Sequence, residues 1–184
     1  GSVSVSSTTL TTASVSASIT TLGTDATYTY VISRSDTDSS GATMTDCASL
    51  TAQTASQTAT ATGLTQNTTY YLWVRAKNTS TNAYTLLSAT GVSCATKVAP
   101  AGGSVSVSST TLTTASVSAS ITTLGTDATY TYVISRSDTD SSGATMTDCA
   151  SLTAQTASQT ATATGLTQNT TYYLWVRAKN TSTN

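Results

Sequence analysis

The sequence predicts an all-β protein built from two tandem β-sandwiches. Residues Gly1–Asn82 recur letter for letter as Gly103–Asn184. A period of this length corresponds to a whole small domain, because solenoid repeats run only roughly 20–50 residues. Apolar side chains also alternate with hydroxyl side chains, as at Val15, Ala17 and Ile19, which is typical of half-buried strands. No segment shows helical spacing, and Thr, Val and Tyr favour strands.

The alternation predicts seven short strands in the first repeat. Turn-forming residues interrupt it at 23–25, 35–41, 63 and 78–82. Several short strands at such spacing favour a sandwich over other all-β folds. The predicted strands lie near residues 2–6, 13–20, 27–34, 42–47, 57–62, 69–77 and 86–96.

The repeat defines the domain boundaries. We expect repeat 1 over 1–97, a Pro/Gly linker over 98–102 and repeat 2 over 103–184. Pro100 favours a linker because proline cannot donate to a central sheet ladder. Repeat 2 has no counterpart of residues 83–102 and is therefore expected to be truncated, without its last strand. That strand is either cut off from this chain or supplied by another chain through strand pairing.

Composition disfavours several functional classes. The chain has seven Lys/Arg, eight Asp, no His and a net charge of −1, whereas 47 residues are Thr and 30 are Ser. Near-zero charge gives no basic footprint for nucleic acid, and no apolar run is long enough to insert in a membrane as a helix. Because His is the commonest general base, we do not expect an enzyme.

The segment 63–78 carries a recognisable motif. It reads Gly-Leu, a short turn, Thr-x-Tyr and then alternating apolar residues ending in Ala-x-Asn. This resembles the fibronectin type III family, whose strands are lettered A, B, C, C′, E, F and G in the order given above. The matching residues are Leu64, Thr68, Tyr70, Val74, Ala76 and Asn78. The resemblance implies that Tyr70 and its copy Tyr172 form tyrosine corners.

One cysteine pair per full repeat predicts a disulfide between Cys47 and Cys94. An even number of cysteines in a hydroxyl-rich, Lys-poor chain suggests an oxidising compartment. Two unpaired buried thiols are the alternative, because free cysteine packs well in cores. Cys149 copies Cys47 without a partner in this chain.

Asp36, Asp38 and the nearby Asp46 form a candidate calcium site. The segment 36–41 resembles the start of a calcium loop, in which alternate carboxylates converge on one cation. Cys47 stands where such a loop has its bidentate Glu. A polar turn between strands C and C′ is the favoured interpretation, because Asp, Ser and Gly form turns. Apart from this calcium, we expect no cofactor.

The triplets at Asn67, Asn78, Asn169 and Asn180 are candidate N-glycosylation acceptors. O-linked sugars on Thr and Ser are an equal alternative.

Trp73 and Arg75 lie on the outward face of strand F, where they are a candidate binding face for a sugar or a protein partner. Stacking within the sheet is the favoured alternative.

Together these features suggest a spacer or shaft repeat of an extracellular stalk or filament, from a microbial surface protein. Its expected partners are neighbouring identical repeats. An adhesin, or a carbohydrate-associated binding module of a secreted protein, is the alternative function.

Overall fold

The computed structural model describes residues 1–127 and 129–181, and the predicted all-β fold class is confirmed. The chain divides into two compact units, Gly1–Lys97 and Val98–Asn184. Within the described ranges, no helix is long and apolar enough to cross a membrane.

Unit 1 contains eight strands that follow the predicted order closely. They form two antiparallel sheets, one of order β1-β2-β5 and one of order β4-β3-β6-β7, with β8 also pairing with β6. Strands A, B and E thus make one sheet and C′, C, F and G make the other. The strands are β1 (Ser2–Thr8), β2 (Ala13–Ser18), β3 (Tyr28–Ser35), β4 (Thr45–Leu50), β5 (Gln57–Ala61), β6 (Thr69–Asn78), β7 (Tyr84–Leu86) and β8 (Val92–Ala95).

The core of unit 1 lies between these sheets and follows from the alternation. Alternate residues of a strand point to one face, so β2 buries Ala13, Val15 and Ala17 while its serines face outward. The longest strand, β6, contributes Leu72 and Val74, both fully buried. Tyr30, Ile32, Cys47, Leu64 and Cys94 complete the centre of the same cluster.

Two predicted strands differ from the structure. Strand C′ begins at Thr45 rather than near residue 42, because the preceding turn continues through a hydrogen bond from Ala42 N–H to Ser39 O at 3.0 Å. Strand G is split into β7 and β8, which pair with β6 in different registers. Between them, Ser88 Oγ accepts the Val74 N–H at 3.0 Å, so a side chain replaces a ladder bond there.

Unit 2 repeats the arrangement with six strands in its described residues. One sheet has the order β13-β10-β9 and the other β12-β11-β14. They are β9 (Ala101–Thr110), β10 (Ala115–Thr123), β11 (Tyr130–Ser137), β12 (Thr147–Leu152), β13 (Gln159–Ala163) and β14 (Tyr173–Asn180). Over 98–127 and 129–181, β14 pairs with β11 alone, so one edge of this strand is open.

The structure revises the predicted linker over 98–102. These residues belong to unit 2: Val98 N–H donates to Thr126 Oγ1 at 2.8 Å, and Ala101 pairs with Thr123 as β9 begins. Pro100 is compatible with this arrangement because it precedes the strand, where no ladder donor is needed.

Candidate functional site

A polar network covers the outer face of the β4-β3-β6-β7 sheet in unit 1. Ser33 on β3, Asp46 on β4, Arg75 on β6 and Tyr84 on β7 contribute to it. Arg75 donates through Nε to Ser33 Oγ and through Nη2 to Asp46 Oδ1, both at 2.7 Å. Ser33 Oγ in turn donates to Asp46 Oδ1, and the Tyr84 hydroxyl donates to Asp46 Oδ2, each at 2.7 Å. All four strands of this face are therefore joined through one carboxylate.

Arg75 is the buried charge of this network. Its side chain is 9% exposed, against 33% for Asp46, and its guanidinium carbon lies 3.8 Å from the centre of the Tyr84 ring, within cation–π range. Burial raises the pKa of Asp46, but hydrogen bonds from Ser33, Tyr84 and Arg75 outweigh it and hold that pKa below its usual value. The ionised carboxylate thus compensates a guanidinium that has lost most of its water.

The same residues in unit 2 are arranged differently. Ser135 Oγ still donates to Asp148 Oδ1 at 2.8 Å, but Asp148 Oδ2 accepts from Lys179 Nζ at 2.7 Å. The hydrogen bond from Lys179 is the main cause of the lowered pKa of Asp148, whereas Arg177 acts on it through charge alone. Repeat 2 has no counterpart of Tyr84, so the difference follows the presence of strand G.

The predicted binding face at Trp73 and Arg75 is not an open surface in unit 1. Both side chains point to the outer side of the sheet, as expected, but Trp73 is only 2% exposed and Arg75 is 7% exposed. The turn at Gly91 lies against the indole, where a Cβ atom would come within 2.7 Å of the ring. The Gly91 turn and the Tyr84 ring therefore cover this face, in line with the favoured alternative of packing within the sheet.

The three candidate calcium ligands are not brought together. Asp46 is held by Arg75 as described above, and Asp38 Oδ1 accepts the Gly91 N–H at 2.9 Å. Over the described ranges, no three His, Cys, Asp or Glu side chains are grouped closely enough to hold a metal ion. Asp38 instead positions the turn that covers Trp73, and Asp36 remains an exposed turn residue. The polar-turn interpretation accounts for both.

The predicted disulfide between Cys47 and Cys94 is absent, and all three cysteines of the described chain are free and buried. Cys47 lies on β4 and Cys94 on β8, with β3 and β6 between them. At ~4.8 Å per strand step, their strands lie about 14 Å apart across the sheet, whereas a disulfide spans roughly 7 Å between Cα atoms. The structure thus has two unpaired buried thiols, as the alternative describes.

Burial also makes these thiols poor nucleophiles. Desolvation raises the pKa of Cys47 to about 12, and it raises the pKa of Cys94 and Cys149 as well. Cys47 Sγ donates to Ile32 O and Cys149 Sγ to Ile134 O, each at 3.3 Å. Both thiols thus remain protonated and partnered inside their units.

Tyr70 makes the contact that the tyrosine-corner prediction describes. Its hydroxyl accepts the Thr65 N–H at 3.2 Å, and the Arg34 guanidinium lies 5.0 Å from its ring centre. In unit 2, the interaction with Thr167 is the main cause of a lowered pKa at Tyr172, and the Arg136 guanidinium lies 5.1 Å from that ring centre. The aromatic ring and its hydroxyl thereby tie strand F to the turn before it.

A second fastening point, at Thr96 after β8, is not predicted by the sequence pattern. Its Oγ1 donates to Thr65 O at 2.6 Å and accepts the Thr68 N–H at 3.0 Å. A buried threonine beside exposed ones carries no distinctive sequence pattern, so only the register of strand G could have revealed it. The same holds for the link between Asp46 and Arg75.

The glycosylation candidates fall into two groups. Asn67 and Asn169 are exposed, whereas Asn78 and Asn180 are half-buried at the ends of β6 and β14. Asn78 Oδ1 accepts the N–H groups of Ser80 and Thr81 at 3.0 and 3.1 Å, which orders the turn after strand F. Glycosylation at all four positions stays a prediction.

Comparison with known proteins adds two likenesses among solved structures. The central fibronectin-III array of RIM-binding protein has 16% identity and a TM-score of 0.35, over 97% of this chain. The FN1–FN3 domains of chicken CNTN1 have 16% identity and a TM-score of 0.37, over 98%. This chain spans 61% of the length of each. No family model and no curated protein matches the sequence.

The fibronectin type III-like fold is confirmed by the strand order inside each unit. Strands A, B and E lie in one sheet, and C′, C and F lie in the other, with G added in unit 1. The side chains singled out above act within this sandwich: they fasten strand G and strand F to their neighbours.

Proposed function

We propose, from the premise that each unit is a fibronectin type III-like sandwich, that this chain is part of the shaft of an extracellular stalk or filament. One observation carries the proposal: an 82-residue sequence occurs twice without change, and each copy folds as its own sandwich. Identical neighbours raise the risk of misassembly. A spacer tolerates that cost because its output depends on the number of units.

The use of charge supports a structural role. The most buried charged side chain of unit 1, Arg75, is neutralised by Asp46 and stacked on Tyr84. Asp38 holds a turn in place. The polar side chains that the sequence offered as a site are thus used to fasten strands, while exposed faces are dominated by Ser and Thr hydroxyls.

Free cysteines are compatible with an extracellular location. Oxidation proceeds through the thiolate, and burial keeps Cys47 protonated at neutral pH because its pKa is about 12. The thiols are therefore protected by packing and not by a disulfide. The extracellular location is therefore inferred from composition and does not depend on a disulfide.

The alternative of an adhesin or carbohydrate-associated module is not adopted. Its candidate face at Trp73 and Arg75 is covered by the Gly91 turn and the Tyr84 ring in unit 1. A partner would have to displace the Gly91 turn to reach the indole.

Localisation is tested with an antibody raised against unit 1 and applied to cells of the source organism. We expect labelling of intact cells at the same level as permeabilised cells. Labelling that appears only after permeabilisation would refute an extracellular shaft. An antibody against a cytosolic protein serves as the control for cell integrity.

The mechanical role is tested by single-molecule stretching of a chain of four complete repeats. A folded unit of 97 residues releases on the order of 300 Å of chain when it unfolds, at about 3.3–3.6 Å per residue. We expect four separate force peaks with this spacing. Extension without force peaks would show that the units do not bear load.

A further inference from the structure

Unit 1 carries an arginine on the core side of its sheet, near the end of β3. Arg34 pairs across the sheet with Leu72 of β6, which is fully buried. Because paired residues of antiparallel strands share a face, Arg34 lies on the side of the sheet that faces the core. A charge in such a position is usually paired with an opposite charge. Arg75, on the outer face, follows this rule through its ion pair with Asp46.

Arg34 and its copy Arg136 have no such counter-ion. Over residues 1–127 and 129–181, no carboxylate lies within ion-pair distance of either guanidinium. Their guanidinium carbons lie 5.0 and 5.1 Å from the ring centres of Tyr70 and Tyr172, and both arginine side chains are half-buried. Each guanidinium is thus held against an aromatic ring while its charge lacks an anionic acceptor.

The arrangement is the same in both units. Arg34 pairs with Thr45 of β4, and Arg136 pairs with Thr147 of β12. This agreement contrasts with the outer face of the sheet, where Arg75 and its copy make different contacts. The position of Arg34 is therefore set by the sequence that the two repeats share, and it does not depend on strand G.

A polar groove opens beside Arg34 in unit 1. Its volume is about 530 Å³, which is within the range of small-molecule sites. Among the described residues, no Leu, Ile or Val lines it, so it offers hydrogen bonds and little apolar contact. The lining includes Arg34, Asp36, Thr43, Thr45, Thr65 and Tyr70.

We propose that this groove, and its copy around Arg136 in unit 2, each bind a sugar acid. The planar guanidinium donates two parallel hydrogen bonds to the carboxylate of the ligand, a geometry that a lysine cannot provide. Contact with the Tyr70 ring limits the orientations of the guanidinium before the ligand arrives, which lowers the entropic cost of binding. The exposed hydroxyls of Thr43 and Thr45 then bond the ring hydroxyls of the sugar.

Asp36 favours a sugar acid over a simple anion. It is exposed and lines the same groove as Arg34, so the two charges largely cancel for a ligand that is only an anion. A sugar acid uses both groups, because its carboxylate accepts from Arg34 and one of its hydroxyls donates to Asp36. The site is separate from the covered face at Trp73, and it does not rest on the shaft proposal.

The test titrates the isotope-labelled 184-residue chain with glucuronate and follows the arginine Nε–H signals by NMR. We expect the signals of Arg34 and Arg136 to shift and saturate with a Kd of roughly 1–10 mM. The Arg75 signal should not move, because its Nε already donates to Ser33. Glucose lacks the carboxylate and acetate lacks the hydroxyls, so each should bind at least about tenfold more weakly.

The duplicated site supplies matched controls within one molecule. Arg34→Gln should abolish the response of unit 1 and leave that of Arg136 unchanged, and Arg136→Gln should do the reverse. Arg34→Lys keeps the positive charge but loses the two parallel donors, so the affinity of unit 1 should fall by at least about threefold. The lysine variant keeps the test valid if the glutamine variant unfolds unit 1.

Three results would overturn the proposal. They are no shift at ~50 mM glucuronate, equal affinities for glucuronate and acetate, and a response of unit 1 that survives Arg34→Gln. Galacturonate and its trimer distinguish the two sources of a sugar acid. A trimer that binds at least as tightly as the monomer indicates a uronate within a polysaccharide, whereas exclusion of the trimer indicates a free sugar acid.

Discussion

Removal of the Asp46 carboxylate should destabilise unit 1 much more than the same change destabilises unit 2. In Asp46→Ala, the 9%-exposed Arg75 side chain loses its counter-ion, while Ser33 and the Tyr84 ring remain in contact with it. Breaking a buried pair costs roughly 3–5 kcal/mol. Because Asp46 is itself one-third exposed, we expect the low end, about 3 kcal/mol.

The matched change Asp148→Ala removes the copy of Asp46 in repeat 2. Its partner Lys179 is 41% exposed and Asp148 is 35% exposed, so the pair is largely solvated. Pairs of this kind contribute about 0–1 kcal/mol. The structure thus predicts that the two substitutions differ by on the order of 2 kcal/mol.

Urea unfolding followed by tryptophan fluorescence measures the difference. Asp46→Ala is made in a Trp175→Phe background, in which only unit 1 reports, and Asp148→Ala in a Trp73→Phe background, in which only unit 2 reports. At a slope of roughly 1–1.5 kcal/mol per M of urea, we expect the midpoint of unit 1 to fall by about 2–3 M. The midpoint of unit 2 should move by less than about 1 M. Equal shifts in the two units would refute the account of the network.

The remaining predictions concern pH, the tyrosine corner and the thiols. The pKa of Asp46 in the folded chain lies below its ordinary value of 3.8. Its contribution to stability is therefore present above pH 3.8 and is lost as the pH falls through the folded pKa. In urea unfolding at decreasing pH, the free energy of unfolding should fall less steeply for Asp46→Ala than for the parent chain. Tyr70→Phe removes the acceptor of the Thr65 N–H and should lower the free energy of unfolding of unit 1 by about 0.5–1.5 kcal/mol. An unchanged free energy of unfolding in urea would contradict the role of Tyr70 as a tyrosine corner. Iodoacetamide at neutral pH should alkylate Cys47 only after unfolding in urea, because its pKa of about 12 leaves almost no thiolate. The mass of the chain should be the same before and after reduction, because no disulfide is present to be reduced.

Alternation and local motifs predict those features of the fold that depend on spacing along a single strand. Spacing along one strand predicts the positions of the strands and the division of their side chains between inner and outer faces. It also predicts the contact of Tyr70. Strand G was expected as one element because its composition is continuous, and its division became visible only through the two registers against β6. The local sequence pattern thus predicts where strands lie along the chain better than it predicts which strands pair and in which register.

Errors at the candidate sites have a common cause. The alternation places Trp73 on the outer face correctly, but it does not show that the Gly91 turn covers that face. Cysteine counting pairs Cys47 with Cys94, but it does not show that β3 and β6 lie between them. Both questions depend on which strands are neighbours, and neighbours are set by contacts distant in sequence.

The two units show how far that dependence extends. Residues 1–82 and 103–184 are the same sequence, yet Asp46 binds a buried arginine and Asp148 binds an exposed lysine. The partner of this aspartate is therefore not encoded by the strands that surround it in both units. In unit 1, Tyr84 stacks on Arg75 and donates to Asp46, and the described part of unit 2 has no counterpart of this strand. A short strand added at a sheet edge thus changes the electrostatics of residues on three other strands, and this coupling is what the paired aspartate substitutions measure.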